Sequence, residues 1–162
     1  MRTHTRLLVV IGLLCSAPAA AQLQRPRADV TAVSPAAPAT PGSVVVVSLK
    51  VRLPKDVHVQ ADKPKDPSLI ATTLSVDAPA GVSVEKISYP AATELIQQGR
   101  SDALLVFGPE FEIEARLALA ASVAPGELVV PLRLRYQACN DTMCFPPARA
   151  EARWLVRVAG EP

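Results

Sequence analysis

The sequence predicts an all-β fold, an immunoglobulin-like antiparallel β-sandwich. Apolar and polar residues alternate with period two in several runs between residues 43 and 158. Turn-forming clusters such as Pro79-Ala80-Gly81 and Ala124-Pro125-Gly126 separate those runs. No stretch holds a helical apolar period for long. The polar faces imply sheets with one side wet, and roughly seven short strands split by turns fit a sandwich.

Before that pattern begins, Arg2 and Arg6, the apolar run 7–14 and Ala19-Ala20-Ala21 read as a secretory signal peptide over residues 1–21, cut after Ala21. The run is too short to span a bilayer, and no later run is long enough. The exported product is therefore expected to be soluble and not itself membrane-spanning. Cys15 leaves with the signal, and the bulky Leu14 before it argues against lipid attachment. Residues 22–42 carry Pro26, Pro35, Pro38 and Pro41 among Ala, Ser and Thr, and read as an extended or disordered linker. The sandwich domain is expected over residues 43–160.

Within it, the β-branched run 44–47 continues through Leu49, Val51 and Leu53, alternating with Lys50 and Arg52, until Pro54 ends the strand. Residues 57–60 form a second short strand, and 63–67 a charged loop stiffened by Pro64 and Pro67. Strands over 69–76 and 82–87 follow. Residues 89–102 fit either of two readings: one or two helical turns over 91–98 ended by Gly99, or a loop. Phe111, Ile113, Ala115, Leu117 and Leu119 share a face opposite Glu112, Glu114 and Arg116. Leu128, Val130, Leu132, Leu134 and Tyr136 lie opposite Arg133, Arg135 and Gln137. Ala148, Ala150, Ala152, Trp154, Val156 and Val158 lie opposite Arg149, Glu151, Arg153 and Arg157.

Charge and motifs exclude several functions. Arg2 and Arg6 account for the whole excess of bases in a chain with Lys+Arg 17 and Asp+Glu 15. The exported part is formally neutral, its charges interleaved and its aromatics few, so nucleic acid is a poor partner. His4 leaves with the signal, and His58 is then the only histidine, too few for a Ser-His-Asp site. There is no glycine-rich phosphate loop, HExxH motif or nucleophile elbow, and no cofactor is expected.

Export leaves Cys139 and Cys144 as one pair in an oxidising compartment. Asn140-Asp141 suits a turn, and Pro146-Pro147 forbids a continuing helix. The simplest arrangement is a β-hairpin with a disulfide at its tip. A ring this small gains only about 2 kcal/mol from cross-linking. Two readings stay open on spacing alone: a structural staple, as most exported pairs are, or an exchange centre, since a cross-link of little structural benefit is comparatively reducible. Zinc wants three or four ligands, and two cysteines with one distant histidine fall short, so no metal is expected.

Tyr136-Gln137-Ala138-Cys139 followed by Cys144-Phe145-Pro146-Pro147 resembles the active-site hairpin of the N-terminal periplasmic domain of the thiol:disulfide interchange protein DsbD. His58-Val59-Gln60-Ala61-Asp62-Lys63-Pro64 with Asp66-Pro67-Ser68-Leu69-Ile70 resembles an early segment of that family, and Phe107-Gly108-Pro109-Glu110 its cap-loop region. The resemblance covers roughly residues 43–158. It implies an immunoglobulin-like periplasmic domain whose redox pair is Cys139 and Cys144. A membrane-embedded thiol reductant would recharge the pair, and thioredoxin-like periplasmic proteins would accept its electrons through transient mixed disulfides. Cys144 would attack and Cys139 would resolve, with Val106 and Phe107 in a cap loop over the sulfurs. The family's membrane domain and C-terminal thioredoxin-like domain are not in this sequence, so the expectation is that electrons come from another chain or that the role has changed.

Five supporting residues follow. Asp141 either raises a neighbouring thiol pKa or simply forms the turn. His58 either exchanges a proton during the reaction or is a surface residue. Tyr136 is expected in the core with its hydroxyl bonded locally. Phe107 is either a lid or ordinary core, and Val106 accompanies it. Trp154 is expected in the core, and Glu110 and Glu112 in solvent.

Overall fold

The computed structural model describes residues 25–160, so the expected signal peptide and its cleavage point lie outside the described residues. Those residues form strands and no helix. One sheet has β1 (Asp29–Val33), β2 (Val44–Arg52), β8 (Glu110–Leu119) and β5 (Val82–Ser88), in that order. A second has β11 (Ala148–Val158), β9 (Gly126–Tyr136) and β4 (Thr73–Val76). A third, shorter sheet has β10 (Ala138–Cys139), β3 (His58–Gln60), β7 (Leu104–Phe107) and β6 (Thr93–Leu95). Every strand pairing within the sheets is antiparallel. The fold is an immunoglobulin-like β-sandwich.

Alternation in the sequence becomes the two sides of each sheet. Val47, Leu49 and Val51 of β2 join Ile113, Ala115 and Leu117 of β8 in a single core with Val130, Leu132 and Leu134 of β9 and Trp154 and Val156 of β11. Trp154 is fully buried, and its Nε1–H donates to the Ser48 carbonyl across the sandwich at 2.6 Å. Glu110 and Glu112 face solvent, Glu110 pairing with Arg52 at 3.0 Å.

The structure departs from the sequence expectation in four places. Part of the expected linker is ordered sheet: β1 lies between Pro26 and Pro35, pairs with β2, and packs Val30 and Ala32 on the core. A five-residue proline-free window suffices for an edge strand. The chain then crosses to the other sheet, where Ala39 bridges Val158 and exchanges backbone hydrogen bonds with Arg157 and Ala159. In the expected 69–76 strand only Thr73–Val76 is strand: Leu69 ends a turn, its N–H donating to the Asp66 carbonyl and Ser68 N–H to the Asp66 carboxylate, and residues 70–72 are irregular, Thr72 N–H donating to the Ala61 carbonyl. Neither helical turns nor a plain loop occupies all of 89–102. Thr93–Leu95 pairs with β7, and Gly99, at φ +82°, closes a turn in which Arg100 N–H donates to the Gln97 carbonyl. Lastly, Val106 and Phe107 belong to β7, not to a loop.

Trp154→Ala removes the largest core side chain and its hydrogen bond. It should cost about 3–5 kcal/mol of stability, measured by urea unfolding of the oxidised protein.

Candidate active site

β9 runs into β10 with one residue, Gln137, between them. That glutamine braces the base of the cysteine hairpin. Its Nε2 donates to the Phe145 carbonyl at 3.2 Å, and its Oε1 accepts from Ile70 N–H at 3.3 Å. Above it, Phe145 N–H donates to the Ala138 carbonyl at 2.8 Å and Asn140 N–H to the Met143 carbonyl at 2.9 Å. Asn140 rather than Asp141 forms the turn: its Oδ1 accepts from Thr142 N–H at 3.0 Å and Met143 N–H at 2.9 Å. Cys139 and Cys144 face each other across this hairpin as a disulfide, Cα atoms 4.0 Å apart.

Burial of the two sulfurs is unequal. Cys139 is fully buried, whereas Cys144 is partly exposed. The difference comes from β3, which pairs Ala138 with Val59 and Cys139 with His58. Directly paired residues share a face of a sheet and alternate along each strand. Cys139, His58 and Gln60 therefore lie on one side, joined by Val106, which pairs with Gln60. Ala138, Val59 and Phe107 lie on the other, inside the main core. Val106 thus shares the disulfide's face. Phe107 does not cap the sulfurs; it stacks on Tyr89, ring centroids 6.2 Å apart, and packs against Phe111. Tyr136 is core as expected, but its hydroxyl bonds far along the chain, accepting from Ala28 N–H at 2.8 Å.

His58 is not a surface residue. It is 7% exposed, and its Nε2 finds no hydrogen-bond partner among the described residues. Burial pushes its pKa below the ordinary 6.5, opposed by the negative charge of Asp141. Asp141 itself is exposed at the tip of the hairpin.

Sequence reasoning missed two glutamines. Gln60 is fully buried, donates from Nε2 to Cys139 Sγ at 3.6 Å, and leaves Oε1 without a partner among the described residues. Gln97, 7% exposed, donates from Nε2 to the Asn140 carbonyl at 2.7 Å, and Gln98 N–H donates to the Asp141 carbonyl at 3.0 Å. These two bonds lay the segment after β6 against the cysteine hairpin. An exposed ion pair of Arg100 with Asp66 fastens the segment to the 63–67 loop, and another, Lys65 with Glu94, ties β6 to the same loop. The signal that could have found Gln60 is its alternation with Val57, Val59 and Ala61 in a strand-forming run, which puts it on the same face as His58.

The family described as "Thiol:disulfide interchange protein DsbD, N-terminal" has a model that matches residues 27–154. The chain belongs to this DsbD N-terminal family. Among solved structures it is similar to the reduced N-terminal domain of DsbD from Neisseria meningitidis, with 19% identity and a TM-score of 0.46 over 79% of this chain and 85% of that one. It is also similar to the N-terminal periplasmic domain of ScsB from Proteus mirabilis, with 14% identity and a TM-score of 0.48 over 80% of this chain and 46% of that one. No curated protein matches the chain. As a DsbD N-terminal domain it presents its cysteine pair oxidised here, and among the described residues no helix is long and apolar enough to cross a membrane.

The depressed His58 pKa sets a pH dependence. Between its folded value and about 6.5 the unfolded chain binds more protons at this position. His58's contribution to stability is therefore fully present above about 6.5 and is lost as pH falls through that window. Urea titrations of the oxidised protein from about pH 5 to 8 should show this slope. The slope should shrink in His58→Leu and extend to lower pH in Asp141→Asn, which removes the opposing charge.

Proposed function

We propose that this domain is a periplasmic carrier of reducing equivalents, taking them from a membrane-embedded thiol reductant and passing them to thioredoxin-like proteins. Membership of the DsbD N-terminal family supports thiol-disulfide exchange as the activity. The observation that carries the residue roles is the unequal burial of the pair, Cys139 closed off and Cys144 reachable.

Exchange needs a nearly in-line approach of a thiolate to one sulfur. Only the partly exposed Cys144 offers that approach, so it forms the mixed disulfide in both half-reactions. On recharging, the reductant's thiolate attacks Cys144 Sγ and Cys139 leaves with the electron pair. The reductant's second thiol then displaces Cys144, and the reductant ends as a disulfide. On discharge, the Cys144 thiolate attacks the acceptor's disulfide, and Cys139 attacks Cys144 Sγ to release the acceptor as a dithiol. Each cycle moves two electrons and two protons.

Cys139 leaves and attacks in a site closed to water, where a bare thiolate is costly. His58, directly across the ladder, is the titratable side chain placed to take or return its proton. Asp141, inside the same loop, would by its negative charge disfavour a neighbouring thiolate and discourage indiscriminate reaction. Shielding by Val106 and by the Gln97–Gln98 contact on the hairpin would act in the same direction, leaving access to a partner that displaces the segment.

The test is trapping. Cys139→Ser, reduced at Cys144, is mixed with a thioredoxin-like protein whose resolving cysteine is removed and whose remaining cysteine is held as its mixed disulfide with thionitrobenzoate. Cys144 should displace the thionitrobenzoate and accumulate a covalent complex that a thiol reductant releases. Cys144→Ser should accumulate little or none, at least tenfold less by non-reducing electrophoresis. A complex from Cys144→Ser alone would reverse the roles. With neither variant forming one, the disulfide is a staple in an exported binding module.

A further inference from the structure

The closed disulfide leaves Gln60 half used. Its Nε2–H reaches Cys139 Sγ at 3.6 Å, but its Oε1 is buried without a donor among the described residues. A disulfide sulfur carries no hydrogen and can supply none. The amide cannot simply withdraw. Its backbone is held in β3 between β10 and β7, and Thr72 Oγ1–H donates to the Gln60 carbonyl at 2.6 Å.

Reduction changes what this site requires. A partner dithiol loses two protons and two electrons and closes its own S–S bond. The Cys139–Cys144 bond breaks, and each sulfur gains a hydrogen. Cys144 is partly exposed, and water can satisfy it. Cys139 is fully buried, so its new S–H must find an acceptor inside the protein. The Gln137 carbonyl lies 4.0 Å away, long for such a bond. The Gln60 amide reaches closer, with its Nε2 at 3.6 Å, and the unpaired Oε1 sits on the same amide carbon.

We infer that Gln60 is a positioning residue that favours the dithiol over the disulfide, because its amide oxygen, unpaired when the bond is closed, gains the Cys139 S–H when it opens. This rests on the exchange function proposed above and adds to it: the direction in which the pair is poised is set by a neutral amide in β3. A buried acceptor that is orphaned in one redox state and paired in the other biases the couple toward the paired state. The pair is thereby easier to recharge and a milder reductant than the same hairpin over an apolar floor.

The measurement is the equilibrium between disulfide and dithiol in dithiothreitol redox buffers, followed by thiol alkylation and mass, for the wild type, Gln60→Leu and Gln60→Asn. Gln60→Leu should shift the equilibrium about tenfold toward the disulfide, roughly 30 mV more negative for a two-electron couple. Gln60→Asn keeps an amide one methylene short of the sulfur and should shift the same way by less. Urea unfolding of both redox forms supplies the second readout: Gln60→Leu should cost the reduced form more stability than the oxidised form. A merely structural glutamine would lower both alike and leave the equilibrium unmoved. If Gln60→Leu does not fold, Gln60→Asn decides by the same criterion. An unchanged equilibrium, or one shifted toward the dithiol, in a folded variant overturns the inference and leaves the exchange function standing. A wild-type disulfide that stays closed across the whole buffer range overturns both.

Discussion

Two residues of β10, Ala138 and Cys139, pair with Val59 and His58 of β3, and that short ladder decides what each sulfur can do. Pairing buries Cys139 completely and seats it over two polar side chains. The ladder stops there because the Asn140 turn reverses the chain, and Cys144 returns on the outer side of the hairpin, where it stays partly open to solvent. One sulfur inside and one outside is an asymmetry that a disulfide used only to close a loop does not need. The larger sheets contribute rigidity. β9 leads into the hairpin through the single residue Gln137, whose side chain pins the hairpin's two arms together at its base.

The segment laid against the hairpin is held differently. Its polar ties among the described residues include one backbone bond, one side-chain bond and the exposed ion pair of Arg100 with Asp66. Exposed pairs contribute at most about 1 kcal/mol each, and Ile96 beside them points largely into solvent. Compared with the apolar core under β2, β8, β9 and β11, this is a weakly fastened piece of chain. Local opening draws on such pieces, so the cysteine hairpin combines a stiff foundation with a cover that is cheap to move.

The long strands were legible because burial on one face writes itself into the sequence. β2, β8, β9 and β11 are nine to eleven residues long, enough for alternation to show over much of each. The cysteine pair was legible from compartment and count. What escaped was everything whose conformation is set by a partner strand. β1, β6 and β10 are two to five residues long, too short to show a period, and exist because an edge was available to pair with. β7 misled for the same reason. Its register turns Phe107 into the core and leaves the smaller Val106 on the sulfur side, and a shift of one residue would have done the opposite. Gln60 and Gln97 carry no charge and no motif, so nothing in their spacing announces a hydrogen bond to a sulfur or to a loop carbonyl.

Energetics argue that the site is not built for the closed bond alone. Cross-linking so small a ring contributes about 2 kcal/mol. Against it stand His58 Nε2 and Gln60 Oε1, two buried polar atoms without partners among the described residues. Each such atom costs about 1–3 kcal/mol. The surroundings thus cost at least as much as the bond supplies. Apolar residues at positions 58 and 60 would leave the same disulfide at lower cost, continuing the Val57 and Val59 already there. A histidine and a glutamine in those places are understandable if the bond has to open, because an opened bond brings a proton to Cys139, and these are the side chains that can handle it.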